Sequence, residues 1–564
     1  MRRGFTLQTQ DGARDRVPDE NETMLAPEMP PVKAKPSWAT RRSAPPLFIG
    51  DDDEPLGPKD RAQPVDLAAL TGLVVFLGVM WGRARGVFYW VDEGIAVGIS
   101  SHAFTSIPGI LRQDAAPPLY YLLLHVWMAL FGSSEAATHL LSVVFALATV
   151  PAALWAGWSL FGRRVGWTLA ALMALSPFLA YYANETRMYS LLVLLGLLTT
   201  ATFVHAFVFR RRRYLPVFAL LLTLLVYTHN WGLFFGIGAG LSAVMCALSA
   251  RNRLAVLLDA VLAFGAAGLL YLPWVPSLLA QLAHTGTPFI PTPSLVRARD
   301  DVLLAFGPRE AIVALGVGAG VGTAALVRRP WNRAAFPLAA IAVLPLVTLT
   351  LGLLFSRYNS VWQVRYLAVA LAPIALVLAV GLARGRQIGV ACLAVYALFM
   401  VPIGVKQHPA QKSDVKLVAD RFGPKLQRGD LVVTDFGSVP VSSYYFPPGL
   451  RYAEAPGLVS DDRRSDQRDG EDRLRAADPR ITLLPLVESL PIGGHVLVVC
   501  PTLKFLGTEP TEFVKLLFAR CHEFQDLMLG TGGMRLDDQY DPEPGLTTQH
   551  APKQARLFTK VSPT

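Results

Sequence analysis

The chain has 564 residues, of which 52% are hydrophobic and 17% are charged, and its mean hydropathy is +0.38. Soluble globular domains carry about 25% charged residues, so this composition excludes an ordinary soluble protein and indicates an integral membrane protein. The formal net charge of +10 does not indicate a nucleic-acid partner, because the basic residues fall in short clusters between apolar runs. Such clusters mark cytoplasmic loops, so the charge reports topology.

The N-terminal segment 1–64 is expected to be a disordered cytoplasmic tail. It is rich in proline and charged residues, has no apolar periodicity, and contains an acidic run that begins at Asp51. A docking segment for a partner is the alternative. No cleavable signal is expected, because the first long apolar run begins near Val65.

Eleven apolar runs of membrane-spanning length follow, which predicts an α-helical polytopic membrane protein. The runs are 65–82, 138–161, 165–182, 188–209, 215–229, 233–250, 254–275, 311–327, 335–355, 366–383 and 388–403. A further apolar run, 119–131, is too short to cross. At about 1.5 Å per residue it reaches only about 20 Å, against a hydrocarbon core of about 30 Å.

Topology also indicates that the run 119–131 does not cross the membrane. A crossing there would place Arg163-Arg164 and the cluster from Arg210 to Arg213 outside, whereas an interfacial or re-entrant helix leaves every basic cluster inside. The prediction is a multi-pass protein of the plasma (inner) membrane, with about eleven transmembrane helices in 65–404 and a cytoplasmic N-terminus. Everything after Val405 would then be extracytoplasmic.

The segment 405–564 has the composition of a soluble domain. Strands are predicted at 430–435, 481–487, 495–500 and 557–561, and helices at 412–427 and 512–519. This alternation favours an extracytoplasmic α/β domain, and no glycine fingerprint follows Asp435 to indicate a nucleotide site. The densely charged run 461–475 is predicted to be a mobile surface loop. Cys500 and Cys521 could form a disulfide in this compartment.

Two adjacent carboxylates, Asp92 and Glu93, follow the first apolar run. Carboxylates are costly in lipid, so they are expected at the water boundary, facing a cavity, where a base could remove a proton from a hydroxyl nucleophile. Adjacent residues cannot share one helix face, so one would act while the other orients a neighbour, caps the helix or binds a cation. A plain helix cap at Asp92 is the alternative.

The same outer loop ends in the sequence Asp-Ala-Ala-Pro-Pro-Leu-Tyr-Tyr, which begins at Asp114. The two prolines stiffen the entry into the interfacial helix. Asp114 and Tyr120 are therefore expected to border the substrate cavity. A simple turn residue is the alternative for Asp114.

A short outer hairpin carries the sequence Asn-Glu-Thr-Arg-Met-Tyr, which begins at Asn184. Arg187 can hold a phosphate through bidentate hydrogen bonds, with Tyr189 beside it, and Glu185 would border the same cavity. Alternatively, Arg187 marks the level of the lipid headgroups or forms an ion pair with Glu185.

Two further outer turns contribute polar residues. His229 is a cavity candidate, although a lone histidine without a spaced partner is more often structural. Arg365 is a second candidate for phosphate contact or an interfacial anchor, and Gln363 and Tyr366 are placed at the cavity with it. The long proline-rich loop 276–299 could be a lid.

The ordered set of these motifs resembles the GT-C membrane glycosyltransferases. The set comprises the Asp-Glu pair after the first span, Pro-Pro-Leu-Tyr-Tyr, Glu185-Thr-Arg-Met-Tyr-Ser, Thr228-His229 and Arg365-Tyr366. More narrowly, the sequence is similar to the bacterial branch related to protein O-mannosyltransferases and to the lipid A aminoarabinose transferase. The resemblance covers 65–403, and the C-terminal domain is similar to the extracytoplasmic domain that many of these enzymes carry.

The resemblance implies a polyprenyl-phosphate-linked sugar donor and inversion at the anomeric carbon. Carried over, Asp92 would be the catalytic base with Glu93 as its neighbouring candidate, and Arg187 and Arg365 would contact the donor phosphate. One departure stands at Ala116, where relatives often have a basic residue or histidine before the Pro-Pro pair. Contact with the carrier phosphate must then come from other residues.

The expected partners are a polyprenyl-phosphate-linked sugar, a glycan, lipid or protein acceptor, and membrane lipid, without nucleic acid. Arginine can stabilise a phosphate leaving group, so no metal is expected to be obligatory, although the Asp-Glu pair could coordinate a divalent cation. The main alternative is a transporter or flippase of lipid-linked sugars, but transporters more often show polar residues near mid-membrane and internal repeats. A receptor whose C-terminal domain does the binding is a third possibility.

Overall fold

The computed structural model describes residues 62–82, 87–327, 335–406, 412–502, 510–542 and 552–563. All of them fall within one compact unit, Pro46–Thr564. The predicted tail, 1–64, lies almost entirely outside the described residues. From Pro64 onward the chain forms a bundle of helices, followed by a smaller domain built on one sheet.

Seventeen α-helices are described in the bundle. They are α1 (Pro64–Trp81), α2 (Val91–Ser100), α3 (Ile107–Leu111), α4 (Leu119–Phe131), α5 (Glu135–Phe161), α6 (Arg163–Ala174), α7 (Pro177–Tyr182), α8 (Tyr189–Phe203, continued by a π-turn at Val204–Val208), α9 (Leu215–Thr228), α10 (Trp231–Ser249), α11 (Arg253–Tyr271), α12 (Val275–His284), α13 (Leu295–Leu304), α14 (Arg309–Val327), α15 (Ala335–Phe355), α16 (Ala368–Arg384) and α17 (Arg386–Lys406).

Within the described ranges, 8 helices are long and apolar enough to cross a membrane, or 9 if the pair α13 and α14, bent by 83°, is counted as one span. The predicted polytopic helical fold is confirmed, but two of the eleven predicted runs form shorter helices. The run 165–182 breaks after α6, because Ser176 caps a new helix in which Pro177 takes the first position. The run 215–229 yields only the 14 residues of α9.

Close backbone contacts hold the bundle together. A Cβ placed on Gly157 of α5 would lie 2.8 Å from the Gly166 Cα of α6, so only glycine allows this approach. Small residues at such crossings are typical of membrane helices, where association depends on van der Waals packing. The short helix α4 has the bounds predicted for the interfacial segment.

The C-terminal domain contains one six-stranded sheet in the order β3-β2-β1-β4-β6-β5. Its elements are α18 (Val415–Phe422), β1 (Leu431–Thr434), α19 (Val439–Tyr445), β2 (Arg451–Glu454), β3 (Gly457–Leu458), α20 (Gly470–Ala476), α21 (Pro479–Thr482), α22 (Leu484–Glu488), β4 (His495–Pro501), α23 (Glu512–Gly530), β5 (Met534–Tyr540) and β6 (Lys553–Lys560). Strand β1 is parallel to β2 and to β4, whereas β6 is antiparallel to β4 and β5. The predicted α/β class is confirmed.

Two features of this domain differ from the sequence predictions. The predicted strand 481–487 is wrong: Pro479 and Pro485 occupy the first turns of two short helices, and Pro485 would interrupt a strand ladder. Strands β2, β3 and β5 were not predicted. The disulfide between Cys500 and Cys521, left open by the sequence, is present and joins β4 to α23.

The C-terminal domain packs directly on α2 of the bundle. A Cβ on Gly94 would lie 2.5 Å from the Val441 Cα of α19, so the two helices are in backbone contact. The charged run 461–475 was predicted to be a mobile surface loop, and this prediction is wrong. The run is part of the interface with the bundle. The Asp461 carboxylate lies 2.9 Å from the His102 ring, and the Gln467 N–H donates to the Gln113 carbonyl at 3.0 Å.

Candidate active site

A cavity of about 510 Å³ lies between the bundle and the C-terminal domain. This volume falls in the range of small-ligand sites. The side that the bundle contributes, here called the membrane wall, includes Asp92, Asp114, Arg187, His229, Gln363, Arg365 and Tyr366. The side that the C-terminal domain contributes, here called the C-terminal wall, includes Asp435, Phe436, Ser438, Gln467, Phe513 and Lys553. Seven of the eleven predicted site residues therefore line one cavity.

Asp92 lies in the first turn of α2 and faces two arginines. Its Oδ2 atom is 3.3 Å from Arg365 Nη1 and 4.0 Å from Arg187 Nη2, and its side chain is 22% exposed. The Arg187 guanidinium also donates to the Asp92 carbonyl at 3.2 Å and to the Tyr121 hydroxyl at 3.3 Å. Two guanidinium groups beside one accessible carboxylate can bind an anion while the carboxylate accepts a proton.

Glu93 is turned away from the cavity and is completely buried. Its Oε1 atom lies 2.7 Å from His139 Nε2 and 2.9 Å from Lys412 Nζ, and it accepts the Thr186 N–H at 2.7 Å. Burial alone would raise the pKa of Glu93, but the charges of Lys412 and His139 and these hydrogen bonds lower it. The carboxylate thus joins α2 to α5, to the hairpin before Arg187, and to the segment that enters the C-terminal domain.

Three other predicted cavity residues lie behind the membrane wall. Tyr120 and Tyr189 are fully buried, and the Tyr189 ring centroid is 6.4 Å from that of His229. Glu185 is also buried, and burial raises its pKa, partly opposed by the charge of Lys412 and increased further by Glu93. These residues support the wall without lining it.

Asp114 lies on the cavity surface in the loop between α3 and α4. Burial raises the pKa of its carboxyl, an effect opposed by the charge of Arg187. The loop is fixed by the buried Gln281 amide of α12, which donates to the Leu111 and Asp114 carbonyls at 2.7 Å each and to the Ala116 carbonyl at 3.2 Å. Ala116 itself lines the cavity, so the departure noted in the sequence leaves an uncharged surface there.

The remaining membrane-wall residues are held by aromatic contacts and backbone hydrogen bonds. His229 Nδ1 accepts the Trp231 N–H at 3.1 Å, which leaves the proton of a neutral ring on Nε2. The His229 and Tyr366 ring centroids are 4.6 Å apart, and the Arg365 guanidinium lies 5.5 Å from the rings of Tyr366 and Trp90. These contacts fix the Arg365 guanidinium beside Asp92.

The described residues contain no group of three or more His, Cys, Asp and Glu side chains that could hold a metal ion. The predicted alternative of a cation bound by the Asp-Glu pair also lacks the necessary geometry. Asp92 Oδ2 faces Arg365, whereas Glu93 Oε1 faces His139 and Lys412. The two carboxylates do not converge on a common point.

The C-terminal wall was not predicted from the sequence. Asp435 follows β1 and pairs with Lys553 of β6 at 2.7 Å, and the Ser438 hydroxyl donates to the same carboxylate at 3.0 Å. Glu454 at the end of β2 accepts the Gly437 N–H at 2.8 Å, and burial raises its pKa to about 7. A usable signal was present, because ligands of open α/β sheets bind at the carboxyl ends of the strands, and Asp435 ends the predicted strand 430–435.

Comparison with known proteins identifies the fold. No protein-family model matches the sequence, and no curated protein matches it. Among solved structures, the chain is similar to ArnT from Cupriavidus metallidurans in the apo state, with 13% identity and a TM-score of 0.58 over 87% of this chain and 98% of ArnT. It is similar to ArnT bound to undecaprenyl phosphate, with 14% identity and a TM-score of 0.58 over 88% and 98%. The GT-C fold implied by the sequence motifs is thereby confirmed.

Proposed function

We propose that this protein is an inverting glycosyltransferase that moves a sugar from a polyprenyl-phosphate donor to an acceptor hydroxyl at the outer face of the membrane. One observation carries the proposal. An accessible carboxylate, Asp92, lies 3.3 Å from Arg365 and 4.0 Å from Arg187 in a cavity between the helix bundle and the C-terminal domain. The site combines a proton acceptor with an anion site, as transfer from a lipid phosphate requires.

The reaction assigns each group one task. The acceptor oxygen attacks the anomeric carbon, and Asp92 takes the proton of that hydroxyl. The bond between the anomeric carbon and the phosphate oxygen breaks on the opposite face, and the phosphate leaves with the electron pair. Arg365 and Arg187 bind the phosphate as its charge develops. No bound metal is required for this step, since the guanidinium groups supply the positive charge.

Lipid-phosphate binding is consistent with the similar solved structures. ArnT, which has the same fold, was solved bound to undecaprenyl phosphate. In the present chain the uncharged Ala116 lines the cavity before the Pro-Pro pair, so the two arginines of the membrane wall provide the phosphate contact. Gln363 and Tyr366 border the same part of the wall.

The proposed orientation places the C-terminal domain outside the cytoplasm. The short arginine clusters between apolar runs favour this topology. The disulfide between Cys500 and Cys521 supports it, because disulfides persist in oxidising compartments. The cavity would then meet the lipid carrier at the outer leaflet of the plasma (inner) membrane.

The first test is to identify the lipids that purify with the full-length protein by mass spectrometry. We expect a polyprenyl phosphate carrying one sugar, and its mass would identify the sugar class. Purified protein is then incubated with undecaprenyl-phosphate sugars and a panel of hydroxyl acceptors. Release of free undecaprenyl phosphate together with a glycosylated acceptor supports the proposal. Movement of the donor across vesicles without any release of carrier phosphate would instead identify a flippase.

A further inference from the structure

The C-terminal wall lies at the topological switch point of the sheet. After β1 the chain turns through α19 to β2 on one side of β1, whereas β4 pairs with the other side, and all three strands run parallel. Crevices at the carboxyl end of such a central strand are the places where open α/β sheets bind ligands. In this protein the crevice is bordered by the loop from Asp435 to Ser438. This loop lines the same cavity as Asp92.

The polar groups of this wall carry no net charge. Asp435 and Lys553 pair at 2.7 Å, and both side chains are 6% exposed. The Ser438 hydroxyl bonds to the Asp435 carboxylate at 3.0 Å, and the Lys553 ammonium donates to Ser438 at 3.4 Å. Each carboxylate oxygen can accept a second hydrogen bond, and the ammonium has three N–H donors. The cluster can therefore exchange hydrogen bonds with ligand hydroxyls, but it gives no attraction for an anion.

Aromatic rings lie beside these polar groups. The ring centroids of Phe436 and Phe513 are 6.0 Å apart at an interplanar angle of 84°, and Phe289 from the loop after α12 lies 6.4 Å from Phe513. All three line the cavity, and so does the half-buried amide of Gln467. Apolar rings with a few convergent donors and acceptors suit a ligand that has both apolar C–H faces and several hydroxyls.

We propose that the C-terminal wall is a binding site for an uncharged saccharide, and that this saccharide is the acceptor. This identification of the acceptor rests on the proposed glycosyl transfer. The two walls divide the substrates by charge, since the arginines of the membrane wall take the lipid phosphate and the neutral cluster takes hydroxyls. Ser438 and Gln467 are then residues that determine acceptor specificity, and the acceptor hydroxyl faces Asp92 across the cavity.

The test measures binding of two probes to full-length protein in detergent. Saturation-transfer NMR reports binding of a panel of uncharged oligosaccharides of two to four sugars, and native mass spectrometry reports binding of undecaprenyl phosphate. The variants are Ser438→Ala and the milder Gln467→Ala, and the control is Gln427→Ala, an exposed residue of the same domain. Thermal unfolding of each variant checks that the fold is retained.

We expect at least one saccharide of the panel to bind and to bind about tenfold more weakly to either cavity variant, while undecaprenyl phosphate binds equally well. The control variant should bind both probes like the unchanged protein. The proposal is overturned if no saccharide of the panel binds, or if Ser438→Ala and Gln467→Ala bind it unchanged. If the unchanged protein binds the saccharide but shows no transfer activity, the proposed reaction is contradicted and the saccharide site is retained.

Discussion

In the membrane wall, Asp92 is shared between two arginines at 3.3 and 4.0 Å and its side chain stays 22% exposed. In the C-terminal wall, the Asp435 carboxylate forms an ion pair with one lysine, Lys553, at 2.7 Å, and its side chain is only 6% exposed. The first arrangement leaves a carboxylate and two cations available to reacting groups, whereas the second presents a neutral surface. The difference underlies our two proposals, in which the charged groups of the membrane wall carry out the reaction and the hydrogen-bonding groups of the C-terminal wall select the acceptor.

Replacing Asp92 by Asn should have the largest effect, because it removes the proposed proton acceptor and keeps the shape of the side chain. We expect the turnover rate to fall by about 1,000-fold, with binding of undecaprenyl phosphate retained. Carrier-phosphate release by the purified protein measures the rate. Asp420→Asn, at an exposed surface position, is the matched control. Turnover within a few-fold of normal would remove Asp92 from the mechanism and erase the contrast with Asp435.

The contact between the bundle and the C-terminal domain can be broken at Lys412, which enters the bundle from the C-terminal domain. Its Nζ donates to Glu93 at 2.9 Å and to the Asn184 carbonyl at 2.6 Å. Lys412→Met leaves the buried Glu93 charge without its main cation, so the free energy of unfolding should fall by about 3–5 kcal/mol. Urea unfolding in detergent measures it.

The double variant Glu93→Gln with Lys412→Met is the control for this effect. It removes both charges, so we expect it to recover a large part of the lost stability. If the double variant were as unstable as Lys412→Met alone, the pair would not be coupled. In that case the Glu93–Lys412 pair would not stabilise the contact between the bundle and the C-terminal domain.

Arg365→Lys tests the phosphate contact on the membrane wall. Lysine keeps the charge but loses the planar fork that can bind a phosphate through two hydrogen bonds. We expect kcat/KM for the lipid donor to fall by about 100-fold, while saccharide binding stays unchanged. The exposed Arg357, eight residues earlier, provides Arg357→Lys as the control. Equal loss of saccharide binding would show that the two walls do not act separately.

Much of the membrane wall was predictable from the order of the motifs and from topology, because loops on one side of a bundle must meet. Asp92, Arg187 and Arg365 line one cavity for this reason. The sequence could not tell which of the two adjacent carboxylates faces the cavity. Glu93 was therefore grouped with Asp92, although its partners lie in the protein interior. Local pattern gives the element, whereas the face depends on tertiary contacts.

The C-terminal wall and the attachment of its domain to the bundle were missed because their contacts are not local. Lys553 and Asp435 are 118 residues apart, and Lys412 and Glu93 are 319 apart. Neither pair leaves a spacing signal in the sequence, and strands β2, β3 and β5, which complete the sheet, were not recognised. The apolar run at 481–487 was assigned to a strand by composition, although its proline begins a helix.

The smallest effect is expected at Glu454, which holds the loop of the C-terminal wall through the Gly437 N–H at 2.8 Å. Burial raises the pKa of this carboxyl to about 7, with a further contribution from Asp435. A pKa raised on folding means that the folded state holds the proton more tightly. Its contribution to stability is therefore complete at low pH and is lost as the pH rises through 7.

The free energy of unfolding of the C-terminal domain should accordingly fall by roughly 2 kcal/mol between about pH 5 and pH 8. Glu454→Gln should remove this dependence, because the amide oxygen still accepts the Gly437 N–H and does not titrate. Pulse proteolysis of the full-length protein in urea measures the effect, with Glu488→Gln at an exposed position as the control. An unchanged pH dependence in Glu454→Gln would assign the titration to another group.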